Sequence, residues 1–277
     1  MAFSMMSHAF RMLWANLGSA ARVSVLPLIL MYVALFVLGG GMFLAVGGAD
    51  VLAGMDAGMD VSGDIDAALL EETGALGGLF FVAILILFLV ATVFFAWIAI
   101  SWHRFILLEE YPQGWLPPFR WTEIKAYVVK LILLILVFMA IMVIPAVLLG
   151  GIGAMAGSSE AAAGPVLFFF AAILILIPVF LWISFRLSSV LPAAAVARPM
   201  GIGEAWRETQ SHSGTIFLFA LAYLGVSIAI QIVVSILGLV PIVGIAIAIF
   251  GSWFTTILGF SALTTVYGVA IEGRELT

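Results

Sequence analysis

Residues 75–101 read ALGGLFFVAILILFLVATVFFAWIAIS, and residues 102–104 that follow read WHR. The stretch holds no ionisable side chain. At 1.5 Å per helical residue it exceeds the ~30 Å hydrocarbon layer of a bilayer. In lipid such a run must satisfy its own backbone hydrogen bonds, so it predicts a transmembrane helix. Working outward, five further runs carry the same signature, at about 23–46, 127–149, 165–185, 214–237 and 242–268. The chain is 9% charged and 65% hydrophobic, against roughly 25% charged in a soluble domain. Six spans and their connections leave no room for a soluble catalytic domain. The fold class read here is all-α integral membrane, one six-span domain over residues 1–277.

The bases orient it. Arg11 and Arg22 precede the first run; Arg104, Arg120, Lys125 and Lys130 sit at or between the second and third. Arg186, Arg198 and Arg207 lie between the fourth and fifth, and Arg274 follows the sixth. All ten therefore share one side of the membrane, and the positive-inside rule predicts N-in and C-in. The other side carries Asp50, Asp56, Asp60, Asp64, Asp66, Glu71, Glu72 and Glu160 with no base among them. Gly47-Gly48-Ala49 could pass for a signal-peptide cleavage site. The apolar run before it is about 24 residues against the 7–15 of a signal core, which predicts an uncleaved span.

The spans read as three helical hairpins, each introduced on the cytoplasmic side by a short amphipathic stretch. Phe10, Leu13, Trp14 and Leu17 form the first apolar stripe, set for an interfacial helix. Trp121, Ile124 and Val128 form the second; Ile202, Ala205, Trp206 and Thr209 form the third. Ala9-Phe10-Arg11 with Asn16-Leu17-Gly18 matches Ala205-Trp206-Arg207 with His212-Ser213-Gly214 at one constant offset, and Pro118-Phe119-Arg120 is a weaker third copy. Each copy precedes an odd-numbered span, as helical-hairpin triplication would require.

The even spans leave through Trp97, Trp102, His103 and Arg104, and through Trp182, Phe185 and Arg186. One reading is an aromatic belt with cationic anchors at the headgroups. The other is a contact site for anionic lipid built by Arg104, Arg186 and Arg207. The outer loop, about 49–74, places Asp60, Ser62, Asp64, Asp66 and Glu71 at calcium-loop positions, but Ile65 stands where the turn needs glycine, so it reads as a solvated acidic loop. Asp64 is a candidate helix cap there.

Catalytic chemistry is not visible. The middles of all six spans lack Asp, Glu, Lys, Arg and His, which pumps and intramembrane proteases place at depth. His8, His103 and His212 read as interfacial polar residues, and Glu109-Glu110 as a solvated turn. With no cysteine, thiolate catalysis and thiolate metal ligation are excluded. No catalytic residue, cofactor or metal is expected, and no nucleic-acid partner. Pro145 and Pro178 predict kinks. Gln231 is the one amide deep in a span and reads as an interhelical hydrogen-bonder. Gly244, Ala248, Ser252 and Thr256 recur every fourth residue, with Gly251, Thr255 and Gly259 on a neighbouring stripe, and predict close helix packing.

Phe185-Arg186-Leu187-Ser188 running into Leu191-Pro192-Ala193-Ala194-Ala195-Val196, then Ala205-Trp206-Arg207-Glu208-Thr209, resembles a pattern in bacterial multi-pass proteins related to the membrane domain of glycerophosphoryl diester phosphodiesterases. Trp102-His103-Arg104-Phe105-Ile106-Leu107-Leu108-Glu109 resembles uncharacterised members of that group. The resemblance implies a bacterial cytoplasmic-membrane protein without the soluble phosphodiesterase domain. The expected function is non-enzymatic, as a scaffold, assembly partner or lipid organiser. Its partners would be membrane lipids, other membrane proteins or a second copy of itself. Transport of an apolar or lipidic substrate is the alternative.

Overall fold

The structure, a computed structural model, describes residues 1–44, 73–157, 163–240 and 243–276. The described residues form helices and no strand. In chain order they are α1 (Ala2–Ala15), α2 (Leu17–Phe43), α3 (Thr73–Leu108), α4 (Trp121–Gly157) and α5 (Ala163–Leu187). Then follow α6 (Val190–Ala195), α7 (Ile202–Glu208), a 3-10 turn (Gln210–His212), α8 (Ser213–Leu237) and α9 (Val243–Ala270). Six helical stretches are long and apolar enough to cross a membrane: α2, α3, α4, α5 with α6, α8, and α9. The calcium-loop residues, Asp64 and Glu160 lie outside the described residues, as does the cleavage-like Gly47-Gly48-Ala49.

The helices run further toward the basic residues than the apolar runs do. α3 continues through Trp102, His103 and Arg104 to Leu108, and α4 begins at Trp121, so the second predicted interfacial stretch is simply the start of a long helix. Aromatic and basic residues ended the hydropathy signal without ending the backbone's hydrogen bonding. Helix α4 continues through Pro145 and α5 through Pro178. Ahead of α2, Asn16 breaks the chain into two helices. Its side-chain amide donates to the Met12 carbonyl (2.8 Å), while its own carbonyl accepts from Ala20 (2.8 Å).

α2 packs along α3, α4 along α5 and α8 along α9. α5 also packs along α8, α3 along α9, and α1 against both α8 and α9. That last contact corrects the expected stripe of α1. The covered side is Met5, Met6, Ala9 and Leu13, while Trp14 is 61% exposed and Phe10 only half-buried. Phe10 and Trp14 instead stack on each other and edge against Phe254.

Burial is concentrated at one end. The core is built from Ala96–Ile100, Trp102 and Phe105 of α3, Ile124 and Tyr127 of α4, and Phe185 at the end of α5. Ile216 and Phe219 of α8 and the stretch from Phe254 to Val269 of α9 complete it. The far half is open: Phe36, Ile144, Leu174 and Leu239 are all well exposed. In lipid this costs nothing, because acyl chains are as apolar as leucine and helices associate through packing and polar contacts.

In the far half, close contact takes Gly244 of the first expected small-residue stripe of α9 and Gly251 of the neighbouring one. Gly244 and Gly251 are buried against α8; a Cβ on Gly244 would strike the Gly238 backbone, and one on Gly251 the Val234 side chain. Ala248 and Ser252 are exposed, and so is Gln231, which has no hydrogen bond among the described residues. Ala248, Ser252 and Gln231 therefore lie on exposed faces of their helices rather than in the close contact.

Candidate functional site: the polar end of the bundle

Polar chemistry gathers where the core is. Arg186, in the last turn of α5, is 3% exposed. Its guanidinium lies over the Trp206 ring at 3.5 Å and near the Trp182 ring at 5.3 Å from their centroids. Its Nε donates to Thr209 Oγ1 (3.0 Å), Nη2 to the Trp206 carbonyl (2.6 Å) and Nη1 to Ser213 Oγ at 3.5 Å. No carboxylate pairs with it among the described residues. The cation is held by aromatic faces and neutral acceptors, an arrangement that suits the weakly hydrated, planar guanidinium. It latches α5 to α7 and to the start of α8.

Arg104 is held differently. Its Nε and Nη2 bond both oxygens of Glu110 (2.9 and 2.5 Å), Nη1 donates to the Ala195 carbonyl of α6 (2.9 Å), and Glu123 stands 3.9 Å away. Arg120 bonds the same Glu110 carboxylate at 2.9 Å. The two-toothed pairing and the second arginine hold the Glu110 carboxyl below the usual carboxylate range, the Arg104 hydrogen bond contributing most. Glu110 is therefore the pin of the 109–120 loop and not part of a solvated turn, whereas Glu109 is exposed.

Trp97, Trp102 and His103 are buried in protein, so they are not belt residues. Trp102 Nε1 donates to Ser261 Oγ at 3.1 Å. His103 Nδ1 meets Thr264 Oγ1 at 2.8 Å, and the threonine hydroxyl donates to the Phe260 carbonyl at 2.7 Å. A hydroxyl has one proton, so it accepts from the histidine, which fixes the proton on Nδ1. His103 Nε2 is left as a buried acceptor without a partner among the described residues.

Three tryptophans tie the spans in sequence. Trp97 of α3 donates to the Pro118 carbonyl ahead of α4 (3.3 Å), and Trp182 of α5 to the Ser213 carbonyl at the start of α8 (3.1 Å). Trp253 of α9 donates to Ser24 Oγ near the start of α2 at 2.8 Å. Each belongs to an even span and holds the beginning of an odd one, the last closing the ring.

Of the proposed lipid-contact residues, Arg104 and Arg186 direct their donors into protein, in two different sets of hydrogen bonds. Arg207 on α7 is exposed. Sequence reasoning took Glu110 for part of a solvated turn and did not reach the His103–Thr264 pair or two cavities at this end. One, of about 420 Å³, lies among α1, the ends of α3 and α9 and the chain after α9; His8, Arg11, Thr264 and Arg274 help line it. The other, of about 390 Å³, is lined by Arg104, Glu110 and Arg120 among others. Among the described residues no three His, Asp or Glu side chains gather as a metal site. No family model matches the chain, and no curated protein or solved structure matches it.

Proposed function

We propose that this six-span protein works by contact in a bacterial cytoplasmic membrane, without catalysis, with its basic end facing the cytoplasm. The tied end acts as a rigid base, and the far half presents apolar helix surface to lipid or to another membrane protein. One observation supports this reading above the others: buried side chains and interhelical hydrogen bonds collect at the basic end, while the far half exposes large apolar residues on every span. A transporter would need a path through that end, where Trp102, His103, Tyr127 and Phe219 are fully or almost fully buried.

The test is reconstitution into vesicles carrying a fluorescent phospholipid, followed by an impermeant quencher. A contact role predicts the quenched fraction of protein-free vesicles. Near-complete quenching would overturn it in favour of lipid transport.

A further inference from the structure

We propose that the cavity between α1 and the C-terminal residues binds a phospholipid headgroup that carries both a phosphate and a primary ammonium group. The proposal rests on the reading above for the orientation that puts this end at a headgroup layer. At about 420 Å³ the cavity falls in the size range of small-ligand sites. Its lining has three parts.

The first is a set of donors, with Arg11 and Arg274 as its cations. His8 and Arg11 are three residues apart on α1 and so share a face. Arg274 comes from the chain after α9. Its guanidinium is already oriented, Nη2 donating to the Leu107 carbonyl (2.8 Å) and Nε to Glu272 (2.5 Å). Nη1 makes no bond to a described residue, which leaves part of a fixed fork for a phosphate.

The second part is acidic. Glu275 lines the same cavity and forms no ion pair among the described residues. A purely anionic headgroup would meet this carboxylate at a cost, whereas a headgroup ammonium would be held by it. The third part is apolar, from Ile106, Leu107 and Met12, and would receive the glycerol and first acyl carbons.

Native mass spectrometry of the detergent-purified protein tests this, with phosphatidylethanolamine, phosphatidylglycerol and phosphatidylcholine offered at equal concentration. The wild type should retain the ethanolamine lipid several-fold over the other two. Arg11→Gln should reduce retention of the ethanolamine and glycerol lipids alike. Glu275→Gln, which touches no observed bond, should abolish the preference for ethanolamine over glycerol. Equal retention of all three lipids by the wild type, or an unchanged preference in Glu275→Gln, would overturn the proposal. Excess soluble glycerophosphoethanolamine separates sources: displacement of the lipid assigns the site to a soluble ester, and its failure assigns it to the membrane lipid. The quenching assay reads the contact role independently, so either reading can fail alone.

Discussion

Helix α3 passes through two environments within one rod. From Leu79 to Leu89 it is exposed or half-buried at every position, although its sequence there is almost wholly Leu, Ile, Phe and Val. From Ala96 to Leu107 most residues are buried, although here the sequence includes Trp97, Ser101, Trp102, His103 and Arg104. The rule of a water-soluble core is inverted. Lipid solvates the most apolar half at no cost, so the protein spends its interior on groups that lipid cannot satisfy. Rigidity therefore follows polarity along each span.

The largest effect expected from breaking this contrast is at Arg186. Arg186→Ala removes the donors to Thr209 and Trp206 and empties the space between two indoles, and should cost about 3 kcal/mol of stability. Leu174→Ala in the far half of the same helix should change stability by less than about 0.5 kcal/mol. Detergent-solubilised thermal unfolding of the pair measures the difference; equal losses would dissolve the distinction between the two halves.

Where the far half does pack, the contrast sharpens. Gly251→Ala pushes a methyl group into Val234, whose branched side chain has little freedom to move, and should cost about 1–3 kcal/mol. Ala248→Leu, one turn away and exposed, should be near neutral. Val234→Ala should restore much of the Gly251→Ala loss, and a failure to do so would place the damage elsewhere.

A smaller effect runs the other way at the basic end. Ala197 has φ +58° and ends α6 in a Schellman turn, with Arg198 N donating to the Ala193 carbonyl (2.9 Å) and Ala197 N to the Ala194 carbonyl (3.2 Å). That position favours glycine. Ala197→Gly should stabilise by about 1 kcal/mol, visible as a raised melting temperature.

The smallest expected effect is pH-dependent. The Glu110 carboxyl is depressed in the folded protein, so its contribution is present above its ordinary value of ~4.3 and lost as pH falls through the lower folded value. The melting temperature of the purified protein should fall as the pH drops below that ordinary value. Glu110→Gln should lack this component of the pH response; a wild-type response that survives the substitution would assign the loosening to another acid.

The spans were legible because a 20-residue apolar run has few alternatives. Their basic ends were read short: hydropathy stops at Ser101, but α3's hydrogen bonding carries Trp102 to Leu108 onward inside protein. The packing stripe of α9 was ambiguous for a physical reason. Gly244–Ala248–Ser252 and Gly244–Gly251 both offer close approach at helical spacing, and a helix apolar on all sides does not show which side α8 takes. Arg104 and Arg186 were found as candidates, yet their partners lie on elements distant in sequence, Ala195 and Thr209, which no local pattern connects to them. The cavity at His8, Arg11 and Arg274 joins the two ends of the chain and carries no local signal at all.

The division into a packed basic end and a lipid-facing far half is tested most directly by spin labels placed singly from Leu79 to Phe105 in the reconstituted protein. Oxygen, which partitions into lipid, should collide freely with labels from Leu79 to Leu89, with shallow minima only at Ala83 and Leu87 where α2 lies, and rarely with labels from Ala96 to Phe105. Equal accessibility in both stretches, or deep minima at every third or fourth position across Leu79–Leu89, would contradict the account.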